Sequence, residues 1–267
     1  MNILEKIVAN KKDEIRARKE LYPEKLLEKS LFFPSETVSL KHYLNRKDKS
    51  GIIAEVKRKS PSAQNLHPYL SVEELSIGYM QAGASALSIL TDQKYFGGSN
   101  KDLEIARKFN FCPILRKDFI IDEYQIVESK SIGADVILLI ARILDHNQIV
   151  TFSKLAHSLG LEVLLEVHTK AELDNSLAES IDLVGVNNRD LDTLNTDIQR
   201  SIELSELIPA EFTKVSESGL KSENEILLLK QKGFAGFLIG QSFLAHADPE
   251  RECARLISKI RTGSNEL

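Results

Sequence analysis

The sequence predicts an α/β chain folded as a single (β/α)8 TIM barrel with an N-terminal helical extension. Three observations predict it. From Gly51 onward short apolar runs alternate with longer amphipathic ones, there are eight such runs, and their starts lie about 22 to 34 residues apart. That spacing leaves room for one crossover helix between consecutive strands and little else. Residues 1–50 are assigned to the extension and 51–267 to the barrel, all within one domain.

The extension opens with a charged helix that carries Ile3, Ile7 and Ile15 on its apolar side. An irregular stretch containing Pro23 and Pro34 follows, then a short helix over 36–44. Strands are expected at 52–56, 86–90, 113–115, 135–140, 161–167, 183–186, 213–216 and 236–239. Many of these runs are rich in Ile, Leu and Val, as expected of parallel strands buried on both faces. Gly83, Gly133, Gly160 and Gly233 stand where the intervening helices should end, and glycine commonly terminates helices. An open doubly wound sheet needs the same alternation, but it normally carries a glycine-rich phosphate loop after its first strand. Here Glu-Val-Lys-Arg-Lys occupies 55–59, which favours the barrel.

Composition narrows the function classes. With 42% hydrophobic and 28% charged residues, the 267-residue chain can bury a substantial core. Its net charge of −4, without a long basic block, argues against a nucleic-acid partner. Residues 1–20 are dense in Lys, Glu and Arg, with no apolar stretch of the kind a secretory signal requires, so a cytoplasmic location is expected. The longest apolar run, 136–141, is far short of the roughly 20 residues that cross a bilayer. Cys112 and Cys253 have no Cys or His at ligand spacing, so two reduced thiols are expected rather than a zinc site or a disulfide framework.

In a barrel of this kind the C-terminal strand ends form the mouth where chemistry occurs. The first strand runs out through Glu55-Val56-Lys57, and the two-residue period of a strand puts Glu55 and Lys57 on one face. The third ends Arg116-Lys117-Asp118, the fifth carries Glu166 and the sixth runs into Asn187-Asn188-Arg189. The seventh ends Glu217-Ser218-Gly219 and the eighth Gly240-Gln241-Ser242. Any one ending is explained by a strand emerging into water. Together, Glu55, Lys57, Lys117 and Glu166 would set two carboxylates and two amines around one enclosure, where burial and mutual charge shift proton affinities. That suits acid and base catalysis, although a structural ion-pair network would use the same residue types. Ser218-Gly219 and Gly240-Gln241-Ser242 follow strands seven and eight, where barrels of this class often bind phosphate through backbone amides. Plain turns would look alike. Arg58, Lys59 and Ser60 are either further anion contacts or a solvated turn.

These residues lie in segments that resemble the indole-3-glycerol phosphate synthase family. They are IIAEVKRKSPS (52–62), LTDQKYFGGS (90–99), PILRKDF (113–119), LLEV (164–167), VGVNNRDL (184–191), SESGL (216–220) and FLIGQSF (237–243). The resemblance covers nearly the whole barrel, and the charged extension is similar to the family's added helix. It implies conversion of 1-(2-carboxyphenylamino)-1-deoxyribulose 5-phosphate to indole-3-glycerol phosphate in tryptophan biosynthesis, with loss of carbon dioxide and water. It implies no cofactor and no metal. By the same resemblance Lys117 is the general acid, Glu166 the general base, Lys57 the holder of the substrate carboxylate and an alternative proton source in the later dehydration, and Glu55 the group that orients the lysines or stabilises positive charge. Asn187 and Arg189 would hold hydroxyls and the anthranilate portion, and Phe96 and Phe119 would flank its ring or pack at the rim. Ser60, Ser218, Gly219, Gly240 and Gln241 would form the phosphate shell. The expected partner is a small phosphorylated substrate, with no nucleic acid and no membrane. A monomer is expected, with a weak homo-oligomer as the alternative.

Two departures matter. Ala63-Gln64-Asn65 stands where the family has a glycine-containing turn, which leaves closure of the first loop open, and Gln241 stands where Ser or one of a few polar residues is expected. His67, before Pro68, is read as incidental. Rival readings are another phosphate-binding barrel, such as an isomerase or aldolase-type lyase, and a catalytically silent barrel. The combined Glu55, Lys57, Lys117 and Glu166 set argues against both.

Overall fold

The computed structural model describes residues 3–61, 66, 69–190 and 193–264. Ser62, Ala63, Gln64, Asn65, His67, Pro68 and Leu191 lie outside the described residues. The chain begins with α1 (Ile3–Leu21), α2 (Glu24–Leu27) and α3 (Leu40–Asn45). Next come β1 (Ile52–Val56), α4 (Val72–Gln81), β2 (Ala86–Leu90), α5 (Gln93–Phe96), α6 (Asn100–Phe109), β3 (Ile114–Lys117), α7 (Glu123–Ser131) and β4 (Val136–Ile140). The second half comprises α8 (His146–Ser158), β5 (Glu162–Val167), α9 (Lys170–Ser176), β6 (Leu183–Asn187), α10 (Gln199–Ser205), β7 (Thr213–Glu217), α11 (Glu223–Gln231), β8 (Phe234–Ile239), α12 (Gln241–Leu244) and α13 (Pro249–Ser264).

Each strand pairs in parallel with its sequence neighbour, and β1 closes onto β8 through Ile52↔Phe237, Ile53↔Leu238 and Ala54↔Ile239. The eight strands therefore form a closed (β/α)8 barrel. Its interior is filled by alternate residues of the strands, among them Ile53, Leu115, Leu138, Leu164, Val215 and Leu238. Leu40 and Leu44 of α3 join this cluster, and Leu44 also abuts Gly236 of β8. A second, larger cluster lies between the strands and the helices. The two-residue period then fixes the mouth: Glu55 is two residues beyond Ile53, Lys117 beyond Leu115, Glu166 beyond Leu164 and Glu217 beyond Val215. Gly83, Gly133, Gly160 and Gly233 follow their helices with φ between +75° and +96°, a conformation in which a Cβ is strained.

Several boundaries differ from the sequence reading. The third strand begins and ends later than 113–115, because Arg116 and Lys117 continue the ladder opposite Ile89 and Leu90; the apolar run stops before the strand does. The helix expected over 36–44 starts only at Leu40. Ser39 caps it by accepting the His42 amide at 3.0 Å, and the preceding Val38 amide donates to Asp135 instead of to a helical carbonyl. One turn, α2, interrupts the stretch read as irregular. On α1 the buried residues are Leu4, Ile7, Lys11 and Ile15, whereas Ile3 is only half-buried. Cys112 and Cys253 are both buried and unbridged. No helix among the described residues is long and apolar enough to cross a membrane.

Candidate active site

The barrel mouth holds a cavity of about 190 Å³. Its wall includes the residues that the resemblance assigns to catalysis, substrate and phosphate: Glu55, Lys57, Ser60, Phe96, Lys117, Phe119, Glu166, Asn187, Arg189, Ser218, Gly219, Gly240 and Gln241. Ile3, Leu4 and Ile7 of α1 add an apolar side that the strand-end reading did not anticipate.

At the floor, the Lys117 Nζ lies 2.7 Å from Glu166 Oε2 and 2.5 Å from Glu217 Oε2. Burial works against the ammonium, but Glu166, Glu217 and Glu55 outweigh it and hold the lysine above its ordinary pKa. The two carboxylates diverge. Burial would raise Glu166, yet Lys117 and then His168 overcome it and keep the group well below the usual carboxylate range. Glu217 is pushed up to about 7, first by burial, with Lys117 opposing and the neighbouring Glu166 charge adding to the rise. Environments that drive paired acids apart in this way are a recurring feature of acid–base sites.

Glu217 was visible at the end of the seventh strand but was not nominated. Counting inward positions from the apolar Val215 would have found it. Gly185 of β6 makes room for it, since a Cβ there would collide with the Glu217 carboxylate. Beside this trio, Lys57 Nζ pairs with Glu55 Oε1. Asn187 Nδ2 donates to Glu166 Oε1 at 3.1 Å, and the Asn187 Oδ1 accepts the Arg189 amide at 3.0 Å. Phe96 and Phe119 face each other at the rim, with centroids 6.0 Å apart.

The opposite wall is mostly backbone. Ser218 and Gly219 both have positive φ, +67° and +76°; Gly219 also sits where a Cβ would press on Thr196. Gly240 precedes α12, whose first amides have no intrahelical acceptor, and a Cβ at Gly240 would lie 2.8 Å from that of Glu55. Gln241 uses its Oε1 to accept from Arg189 Nη2 at 3.2 Å, while Arg189 Nη1 donates to the Leu194 carbonyl at 2.7 Å. Ser60 is buried at the edge.

Two of the suggested anion contacts are otherwise engaged. Arg58 makes a bidentate pair with Asp102, at 2.7 and 2.9 Å, and Lys59 donates to the Lys94 carbonyl. Neither lines the cavity: these side chains tie the first loop to the segment around α5 and α6.

The family model described as indole-3-glycerol phosphate synthase matches residues 4–256. An indole-3-glycerol phosphate synthase of Bacteroides thetaiotaomicron is 42% identical over 260 residues, covering 97% of this chain and 99% of that protein. One from Caldanaerobacter subterraneus subsp. tengcongensis is 40% identical, covering 98% and 100%. Among solved structures, 3-hexulose-6-phosphate synthase from Salmonella typhimurium superposes with a TM-score of 0.62 at 14% identity, over 79% of this chain and 99% of that one. That likeness concerns the fold alone.

Proposed function

The chain belongs to the indole-3-glycerol phosphate synthase family, whose members are carboxy-lyases, and on that premise we propose a division of labour in which Lys117 is the general acid and Glu166 the general base. The substrate is 1-(2-carboxyphenylamino)-1-deoxyribulose 5-phosphate. Its ring carbon bearing the carboxylate attacks the ribulose carbonyl carbon, and the Lys117 ammonium protonates the carbonyl oxygen as the new bond forms. The bond to the carboxylate then breaks, carbon dioxide leaves, and the electron pair restores the aromatic ring. A second proton lets the new hydroxyl depart as water, and Glu166 removes the proton from the carbon beside nitrogen to complete the indole. Lys57, steered by Glu55, holds the carboxylate until it leaves. Glu217 shares the Lys117 proton and keeps the ammonium in place.

What supports this reading above all is the Lys117 ammonium set between two buried carboxylates of unequal proton affinity. An acid and a base thus stand within one hydrogen bond of each other. The Phe96–Phe119 pair and the apolar residues of α1 suit the aromatic half of the substrate, and the backbone-rich wall of Ser218, Gly219, Gly240 and Gln241 suits its phosphate. Arg189 and Asn187 lie between the two halves and would hold hydroxyls.

The chain has no tryptophan, so indole fluorescence formed from the ribulose substrate is read against Tyr and Phe alone. The expected result is a rise in indole emission proportional to enzyme. Binding of the substrate without any indole would overturn the reading in favour of a silent barrel.

A further inference from the structure

The reaction proposed above takes up two protons, at the carbonyl oxygen and at the departing hydroxyl, and releases one from carbon. The conversion of a carboxylate to carbon dioxide therefore consumes one proton from solvent in each turnover. Lys117 and Glu166 are both enclosed, and a substrate seated in the mouth would stand between them and bulk water. A second route to Glu166 begins behind it.

His168 follows β5 and is 4% exposed. A carboxylate faces each of its ring nitrogens: Nε2 is 3.7 Å from Glu166 Oε1, and Nδ1 is 3.5 Å from Glu172 Oε2. Neither ring nitrogen is held at ordinary hydrogen-bond length and geometry, although buried polar atoms are normally satisfied. A histidine retained merely for packing would be expected to bond a backbone group. Glu172, near the start of α9, is partly exposed, with 18% of its side chain reaching solvent, and its Oε2 also accepts the His168 amide at 2.6 Å. The charges around the pair are Glu166 on β5, Glu172 on α9, Arg142 after β4 acting on Glu172, and Lys117 beyond Glu166. The groups thus form a line from the surface inward: Glu172, His168, Glu166, Lys117.

We propose that His168 is the relay through which Glu166 exchanges protons with solvent by way of Glu172, an inference that rests on Glu166 and Lys117 being the base and acid. An imidazole receives a proton on one nitrogen and gives one up from the other. Movement of a few tenths of an ångström closes both gaps to hydrogen-bond length. A proton from water enters at Glu172, passes to His168 Nδ1, and leaves from Nε2 to Glu166 Oε1. Glu166 then returns it to Lys117 through Oε2. Each passage leaves the ring protonated on Nδ1, rotation of the imidazole about its bond to Cβ restores the starting tautomer for the next turnover, and the net uptake matches the one proton the chemistry requires. His168 acts through Glu166 and does not touch substrate.

Two variants test this. Glu172→Gln keeps an oxygen to accept the His168 amide but carries no proton, and His168→Ala leaves a space that free imidazole fits. Both are expected to lower kcat about tenfold, less than the roughly 10²- to 10⁴-fold contributed by a group that exchanges a proton with the substrate itself, with KM unchanged and a larger solvent deuterium isotope effect. Added imidazole should restore at least half of the kcat lost in His168→Ala and should do nothing for the wild type. Wild-type kcat and isotope effect in Glu172→Gln overturn the proposal, even if His168→Ala does not fold. A loss in His168→Ala that imidazole does not repair assigns the residue to packing and also overturns it. Glu166→Gln, assayed in parallel, separates the two levels. Activity in that variant removes the base assignment itself, whereas an inactive Glu166→Gln beside fully active relay variants removes only the relay.

Discussion

Lys11 of the N-terminal helix reaches Asp118, the residue after Lys117, with its Nζ 2.9 Å from Oδ1 and each side chain 1% exposed. Asp92, 3.1 Å away, and Glu14, at 2.9 Å, complete the shell around the ammonium. From Asp118 the network continues through Arg116 to Glu128 and Arg18, which ties α1 to β3 and α7. The helix that supplies Ile3, Leu4 and Ile7 to the cavity is thereby fastened to the strand that supplies Lys117.

Lys11→Met is expected to destabilise the protein by about 3 to 5 kcal/mol, the range for removing one partner of a buried ion pair. It should also raise KM, because α1 loosens over the mouth. Urea unfolding and steady-state assays check both. Burial opposes the charge on Asp118, but Lys11 and Arg116 outweigh it and hold the carboxyl below its ordinary value. A depressed acid contributes stability above its unfolded pKa, near 4, and loses it as pH falls through the folded value. The difference between wild type and Lys11→Met should therefore shrink in acid.

Lys117→Ala should lower kcat by about 10²- to 10⁴-fold, the usual contribution of a general acid. Glu166 and Glu217 are then left together without the ammonium, and they can share one proton, so the fold should survive at neutral pH. Circular dichroism and indole fluorescence on the same sample separate the outcomes; full activity would exclude Lys117 as the acid.

Glu217→Gln removes a group whose pKa is raised to about 7. A raised acid contributes stability that is fully present below its unfolded pKa and is lost as pH rises through the folded value. The variant should therefore gain on the wild type as pH climbs from about 5 to about 8, measured as Tm across that window. The inflection near neutrality in the wild-type kcat/KM profile should disappear in the variant, since kcat/KM reports ionisations of the free enzyme. A persistent inflection would assign that ionisation to another group.

Gly240→Ala would bring a Cβ to 2.8 Å from the Glu55 Cβ, so the eighth strand end and Glu55 must separate. Overpacking of this kind costs about 1 to 3 kcal/mol. Because Glu55 pairs with Lys57 on one side and Gly240 borders the backbone-rich wall on the other, kcat should fall and KM should rise together. A thermal melt combined with inhibition by inorganic phosphate measures the two effects, and an unchanged KM would place the phosphate away from Gly240.

The eight βα units were legible in the sequence because their period is local. Eight apolar runs, spaced for crossover helices and punctuated by Gly83, Gly133, Gly160 and Gly233, need no long-range information to be recognised. The strand ends were legible for the same reason, so Glu55, Lys57, Lys117 and Glu166 could be nominated together and are found around one cavity. Glu217 was visible at a strand end but not nominated, because its partners Lys117 and Glu166 meet it only in three dimensions, and Arg58 was left between an anion contact and a solvated turn because its partner, Asp102, lies 44 residues away.

By itself the sequence determined which residues sit at strand ends and on which face, since alternation along a strand is set by backbone geometry within a few residues. Only the tertiary structure decided which charges meet. The closure of β1 onto β8, the seating of Lys11 between Asp92 and Asp118, and the line from Glu172 through His168 to Glu166 depend on which elements pack together. Coulomb energies and desolvation depend on through-space distance and burial, and neither quantity is written in the spacing of residues along the chain.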